Sequence, residues 1–274
     1  MIVLLRQRCQ ELEILELNFV ITKPFIMKRF TIYFILFSML FVSCRFSFGK
    51  RIQGNGNIKT ETRTTGQFNS VDVSGNINVY VRQDSLTSVK IEADENLLEY
   101  IHIKIDGSTL DIQEEDGYNL RSTKGIKVYV SGPSFKQFES SGACDIFSEN
   151  QIKSSEPITI KLSGACDVNM DIDAPKIGVN LSGAGTIVLK GQTKDFNVDG
   201  SGATKIKCFD LATENTDIEM SGAGNAEVFA SVKLSVHVSG AADVKYKGNA
   251  VVSQDVSGAG SVKKVETPVP HTVE

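Results

Sequence analysis

The chain has 274 residues, with 29 Lys and Arg against 33 Asp and Glu and a formal net charge of −4. That mildly acidic balance argues against a nucleic-acid partner, which needs a basic face to neutralise phosphates, and the length suits one or two globular domains. The chain has no Trp, which weakens a glycan-binding reading, since aromatic platforms are the usual sugar-stacking surface.

Residues 1–26 read as an upstream extension outside the mature protein. The stretch "QELEILEL" there is at best a short amphipathic helix, and Met27 is the expected start. From Met27, Lys28 and Arg29 open a basic segment, and Phe30 to Val42 is an apolar run broken only by Thr31 and Ser38. This is the pattern of a secretory signal, too short to span a bilayer as a helix. Its end, "LFVSC", resembles the lipobox of bacterial lipoproteins, in which the cysteine is lipidated and becomes the mature N-terminus. Cys44 is the matching position. Phe41 departs from the aliphatic residue of that pattern, which leaves ordinary signal-peptidase cleavage as the alternative. Lipid chains on Cys44 would anchor the protein to a membrane without a spanning helix, since each buried methylene adds about 0.8 kcal/mol.

Residues 45–274 carry 24 basic and 30 acidic side chains, a net charge of −6. Residues 45–66 read as a linker, and 67–135 as an irregular β region. In the latter, Val89 and Ile91 alternate with polar residues. Ile101, Ile103 and Ile105 then reverse through "DGST" into Leu110 and Ile112, a hairpin pattern, and Ile126, Val128 and Val130 make a further strand. This region is expected to cap one end of the more regular β structure C-terminal to it.

From 136 to 265 the chain repeats itself. Ser-Gly-Ala begins at Ser141, Ser163, Ser182, Ser201, Ser221, Ser239 and Ser257, at intervals of 22, 19, 19, 20, 18 and 18 residues, and Ser74-Gly75-Asn76 is an earlier, diverged copy. A fixed period this short, with no helical pattern, predicts stacked β units: an all-β, right-handed parallel β-helix-like solenoid with about 19 residues per coil. Residue parity agrees. In the third unit Val179, Leu181, Ile187 and Leu189 share one side of the strand, and the other units repeat this with Ile160, Leu162, Val168 and Met170, or Val236, Val238 and Val244. On this parity the glycines Gly142, Gly164, Gly183, Gly202, Gly222, Gly240 and Gly258 face inward with the residue two places on. That second column is small throughout: Cys144, Cys166, Gly185, Thr204, Gly224, Ala242 and Gly260. Ser-Gly-Ala is therefore read as the corner of each coil, with the serines stacking outside as a hydroxyl ladder about 4.8 Å apart. The remaining turns, such as "DIDAPK" and "GQTKD", look too short to form a pocket. Residues 266–274 read as a tail.

The order "FNSVDVSGNINVYV", "IEADENLLEYI", "KGIKVYVSGPSF" and then "SGAG"-like units resembles the head-GIN domain family of auto-transporter adhesins, common in Bacteroidetes envelopes. The resemblance runs from about Phe68 to Val262, with Asn76 standing where the pattern favours Ala. It implies an all-β solenoid-like fold on the cell envelope and carries over no catalytic residue.

The chemical alternatives are poorer. A phosphate loop needs a helix and a Lys-Ser/Thr after the glycines, and strands follow every copy here. A nucleophile elbow needs glycines on both sides of the serine and a triad histidine, against seven equivalent serines and three histidines, His102, His237 and His271. No zinc spacing or cofactor motif occurs. Asp145 and Asp167 share one outward position in adjacent coils, where stacked carboxylates repel unless a cation bridges them. They are weak calcium candidates against two solvated side chains. Cys144 and Cys166 share an inward column within disulfide reach, yet serve equally as small buried thiols, and Cys208 on the same face favours the thiol reading.

The leading expectation is a non-enzymatic, lipid-anchored envelope protein, an adhesin or binding module for a protein or glycan. The alternatives are a self-associating scaffold, hence a homo-oligomer, and a polysaccharide-acting enzyme.

Overall fold

A strand with one apolar parity can bury that side only against a second layer, and a repeat that folds in half supplies both layers from itself. The computed structural model describes residues 49–266 and has this arrangement. Cys44, the signal segment 27–44, the extension 1–26 and the tail from residue 267 lie outside the described residues. The first strands are β1 (Lys50–Gln53), β2 (Ile58–Arg63), β3 (Ser70–Gly75), β4 (Ile77–Gln83) and β5 (Ser88–Asp94). A 3-10 helix, Glu95–Tyr100, leads to β6 (Ile101–Asp106), β7 (Thr109–Glu114), β8 (Tyr118–Arg121) and β9 (Ile126–Gly132). The repeat region holds β10 (Gln137–Gly142), β11 (Ile146–Ser148), β12 (Ile152–Lys153), β13 (Ile158–Cys208), β14 (Leu211–Phe229), β15 (Lys233–Lys247), β16 (Val251–Gly258) and β17 (Ser261–Lys264). The fold is all-β.

Successive repeats pair in parallel and in register. Ser141 lies opposite Ser163, Ser201 opposite Ser221, Ser221 opposite Ser239, and Ser239 opposite Ser257, offsets of 22, 20, 18 and 18 residues. Each repeat contributes one segment to each of two walls. The main sheet runs from β6 and β7 through β3 and β10 into β13, and from β13 through β11 and β4 to β9, β5 and β2, so that it nearly closes around the core. Ile160, Val179, Val198, Ile218 and Val236 line the first wall and Val168, Ile187, Ile206, Ala226 and Val244 the second, none more than 3% exposed.

The inward residues four apart across each corner are matched in size. Leu181 precedes Gly185, Met220 precedes Gly224 and Val238 precedes Ala242, whereas Gly200 precedes the larger Thr204. A Cβ at Gly224 would lie 2.7 Å from Met220 Cε, so the long side chain already occupies the space its partner leaves.

The corner glycines themselves are mostly exposed, which corrects the inward placement expected from strict alternation. The parity is interrupted because each adopts a positive φ, from +98° at Gly142 to +131° at Gly240, and the chain turns there. A Cβ at Gly142, Gly164 or Gly222 would approach within 2.6 Å of the carbonyl oxygen of the preceding corner glycine, and the approach is closer still at Gly183, Gly202, Gly240 and Gly258. Glycine is required twice over, by conformation and by the backbone stacked against it.

The antiparallel strands close the N-terminal end. β7 and β9 extend the two walls in parallel beyond β3 and β4, and β6, β5 and β2 then add antiparallel. β2 and β6 thus become the outer strands of the sheet, and their charged side chains, Lys59, Glu61 and Arg63 on β2 and Lys104 on β6, blunt these edges against further pairing. The pairing also corrects the reading of residues 45–66 as a linker: β2 belongs to the main sheet and β1 pairs with β8. The hairpin expected around "DGST" is β6 and β7.

Gly183→Ala should destabilise the fold by about 3 kcal/mol or more, since a strained φ alone costs about 1–3 kcal/mol and the carbonyl contact adds to it. Ala184→Ser, at the neighbouring exposed position, should stay within about 0.5 kcal/mol. Thermal or denaturant unfolding of the two variants checks the contrast.

Candidate binding faces and the clamped end

The outer surface is two ruled faces, because in-register pairing places equivalent residues side by side along the stack. On the second wall Tyr129, Tyr80 and Phe147 occupy neighbouring strands and stack as a ladder, with centroids 5.1 and 5.3 Å apart and planes 21° and 22° from parallel. Their row continues into Asn169, and further along it reads Lys207, Glu227, Lys245 and Lys263. On the first wall Asp111, Asp72, Glu139 and Lys161 adjoin in that order. Burial pushes the Asp72 carboxyl up, the charges of Glu139 and Asp111 add to this, and Lys161 opposes it. Further along, Asp199, Glu219, His237 and Asp255 occupy the same row.

The two aspartates singled out by position serve the stack. Asp145 Oδ1 accepts the amide of Asp167 (3.2 Å), and Asp167 Oδ1 accepts the amide of Thr186 (2.7 Å), so each carboxylate bonds to the backbone of the following repeat. Burial raises the Asp145 pKa, the Asp167 amide lowers it, and the Asp167 charge raises it. Among the described residues no group of three or more His, Cys, Asp or Glu side chains gathers in a metal-binding arrangement.

Cys144, Cys166 and Cys208 are free and buried. The Ser140 hydroxyl donates to Cys166 Sγ (3.2 Å), and Cys144 Sγ donates to the Gly75 carbonyl (3.3 Å). Burial pushes the Cys144 thiol up to about 11 and the Cys208 thiol up to about 12. A groove of about 520 Å³ runs along the polar turns between Asp173, Gln192, Glu214 and Phe229, at loops the sequence made look too short for one. Several of its polar groups are already engaged: Gln192 donates to Asp173 (3.0 Å) and the Ser231 hydroxyl to the Thr213 carbonyl (2.9 Å).

The densest polar cluster lies at the capped end, on "ADEN". Asp94 is fully buried and accepts four hydrogen bonds, from the Gly56 amide (2.8 Å), the Ser122 hydroxyl (2.7 Å), and the Thr123 amide and hydroxyl (2.9 and 2.8 Å). Burial alone would raise its pKa, but these donors outweigh that and hold it down at about 2. Glu95 accepts from Asn57 (2.6 Å) and Lys59, while Asn96 accepts the Asn55 amide and donates to the Gln53 carbonyl, both at 2.9 Å. Three consecutive side chains thus hold the loop between β1 and β2. Glu114 performs a related task at the first corner. At later corners the Ala amide donates to the preceding Gly carbonyl, as Ala143 does to Gly75 (2.8 Å), whereas Asn76 has no earlier corner and donates to Glu114 Oε1 (2.9 Å). Sequence reasoning found the "ADEN" stretch only as a family signature and missed Glu114 entirely. A lone carboxylate ending a strand carries no pattern of its own.

The sequence matches the family described as "Putative auto-transporter adhesin, head GIN domain" over residues 67–250. This chain belongs to that family. No curated protein matches it. The fold is shared with solved structures of a "putative adhesin" from Bacteroides fragilis (TM-score 0.73, 22% identity, covering 78% of this chain and 100% of that one) and a "Putative lipid binding protein" from Parabacteroides distasonis (TM-score 0.62, 22% identity, 79% and 100%). A "putative adhesin" from Parabacteroides merdae is also similar (TM-score 0.57, 22% identity, 79% and 100%). At that identity the likeness speaks for the fold. The head-GIN match and the resemblance seen in the sequence coincide over Phe68 to Ala250. The "ADEN" clamp lies within this range and ties it to β1 and β2, which precede it.

Asp94→Asn should cost about 1.5–3 kcal/mol, the range for hydrogen bonds to a charged group. Because the folded-state pKa is depressed from 3.8 to about 2, Asp94 contributes stability that is present above about pH 4 and is lost as pH falls toward 2. The wild-type melting temperature should fall over this interval more steeply than that of the variant. The cysteines give a separate check. At about pH 8, where an ordinary thiol is partly ionised, iodoacetamide should leave Cys144 and Cys208 unlabelled in the folded protein and modify them once urea unfolds it.

Proposed function

We propose that this head-GIN protein is exported, anchored by lipid on Cys44, and acts without catalysis as an adhesion module of the cell envelope, its repeats wound as a right-handed solenoid of about 19 residues per coil. The observation that carries this reading is the pair of ruled outer faces, on which equivalent residues of successive repeats line up along the stack. Such faces suit extended contact with a protein or glycan, and the Bacteroides fragilis and Parabacteroides merdae proteins that share the fold are each named a "putative adhesin". The carboxylates that would matter most to an enzyme, Asp145 and Asp167, are occupied by backbone amides, which favours the binding reading over a polysaccharide-acting enzyme. Among the described residues no helix is long and apolar enough to cross a membrane.

Cys44→Ser should move the protein from the membrane fraction to the soluble fraction of expressing cells, and metabolic labelling with a fatty-acid analogue should be lost with it. Beads coated with residues 45–274 should adhere to some members of an immobilised panel of glycans and extracellular proteins and leave the glycans intact. Glycan cleavage without adhesion would favour the enzyme instead.

A further inference from the structure

The lysines of this protein fall into two groups. Lys59, Lys104, Lys127, Lys161 and Lys190 each stand within 4 Å of a carboxylate. Over the last repeats this changes. Lys205 and Lys207 on β13, Lys245 on β15 and Lys263 on β17 project from the second wall, with β14 between the first pair and Lys245, all exposed, and among the described residues none has a carboxylate within that distance. On the first wall of the same repeats Asp199, Asp217 and Glu219 are exposed and equally unpaired. Glu227 and Asp243 lie among the lysines, but Asp243 already accepts the Ser261 hydroxyl (2.6 Å).

Early in the stack, opposite charges meet on one face. Late in the stack each face keeps an excess of one sign: the second wall carries Lys205, Lys207, Lys245 and Lys263 against Glu227 and Asp243, and the first carries Asp199, Asp217, Glu219 and Asp255 against Lys233. Both faces are built on the same parallel ladder, so their rows share a spacing of about 4.8 Å. Rows of ammonium groups on one copy are therefore commensurate with rows of carboxylates on another. We propose that the chain associates laterally with a second copy of itself, the lysine wall of one molecule against the carboxylate wall of the next. The contact joins two different patches, so it propagates into rows of molecules unless a rotation closes it.

The ends of the stack do not offer the same opportunity. In the last repeat Gln254 stands in the inward row where Val236 precedes it, and Lys264 where Tyr246 precedes it, and polar residues pointing inward keep an edge from pairing. At the N-terminal end the outer strands β2 and β6 carry Lys59, Glu61, Arg63 and Lys104, charges that disfavour pairing. Lateral rows would multiply weak individual contacts through avidity, but the proposal stands or falls independently of the adhesive reading.

The test is sedimentation velocity on residues 45–274, which contain the whole described sheet and core, over a concentration series at roughly 20 mM and roughly 500 mM salt. Association is expected at low salt and should be lost at high salt. The pair Lys207→Glu and Lys245→Glu should weaken it about tenfold or more, as should Asp199→Lys with Glu219→Lys, with melting temperatures close to wild type. The four changes together restore the complementarity with its signs exchanged and should restore association. A wild-type monomer at low salt and every concentration would overturn the proposal, as would association indifferent to both charge-reversed pairs. A wild-type monomer that binds dextran sulfate through Lys207 and Lys245 would overturn it in favour of a polyanionic partner.

Discussion

The contact on which this fold rests is between two backbones. At every Ser-Gly-Ala corner the carbonyl oxygen of one glycine fills the place that a Cβ of the next would occupy, from Gly75 through Gly142 and onward to Gly258. Because the approach leaves no room for a side chain, it brings the walls of successive repeats into one register. Their inward residues then close the core between them. The matched sizes of Leu181 with Gly185 and Gly200 with Thr204 are the side-chain counterpart of the same closeness.

A ladder of this kind needs an end, and the protein builds one from side chains. Glu114 provides the acceptor that a preceding glycine carbonyl would have given to Asn76. Burial raises its carboxyl pKa, which the Asn76 and Leu120 amides oppose. Beyond it, Asp94 and Asn96 bind the backbone of the β1–β2 loop and Glu95 binds the side chains of Asn57 and Lys59, so the strands nearest the N-terminus are held by side-chain hydrogen bonds as well as by their ladders. A carboxylate can remain fully buried there because four donors converge on it.

At the other end the protein is protected rather than covered. Gln254 and Lys264 place polar groups where earlier repeats have Val236 and Tyr246, so the core opens gradually to solvent. With charged or polar side chains at both ends, contact with anything outside the chain is left mainly to the two faces, whose rows each repeat extends by one residue. The family's adhesive description and the geometry point the same way, because adhesion needs area and repetition more than it needs a cleft.

Much of this was legible in the chain. The interval between Ser-Gly-Ala copies and the parity of Val, Ile and Leu identified stacked β units and their core rows, since period and alternation are local properties. Repetition also marked the corner, and "ADEN" the family. What the sequence alone could not supply were the relations between residues far apart. Strict alternation placed the corner glycines inside, and only the folded chain, with φ positive at each, turned them outward. The strands within residues 45–66 looked like linker because the partners of that segment, Asp94 and β5, lie 26 to 38 positions downstream. Glu114 had no motif because its role depends on the distant Gly75. The sequence by itself determined the repeat, because each copy carries its own pattern. The tertiary structure decided how the repeat is ended and how its charges are divided between two faces, because both depend on which residues meet across the stack.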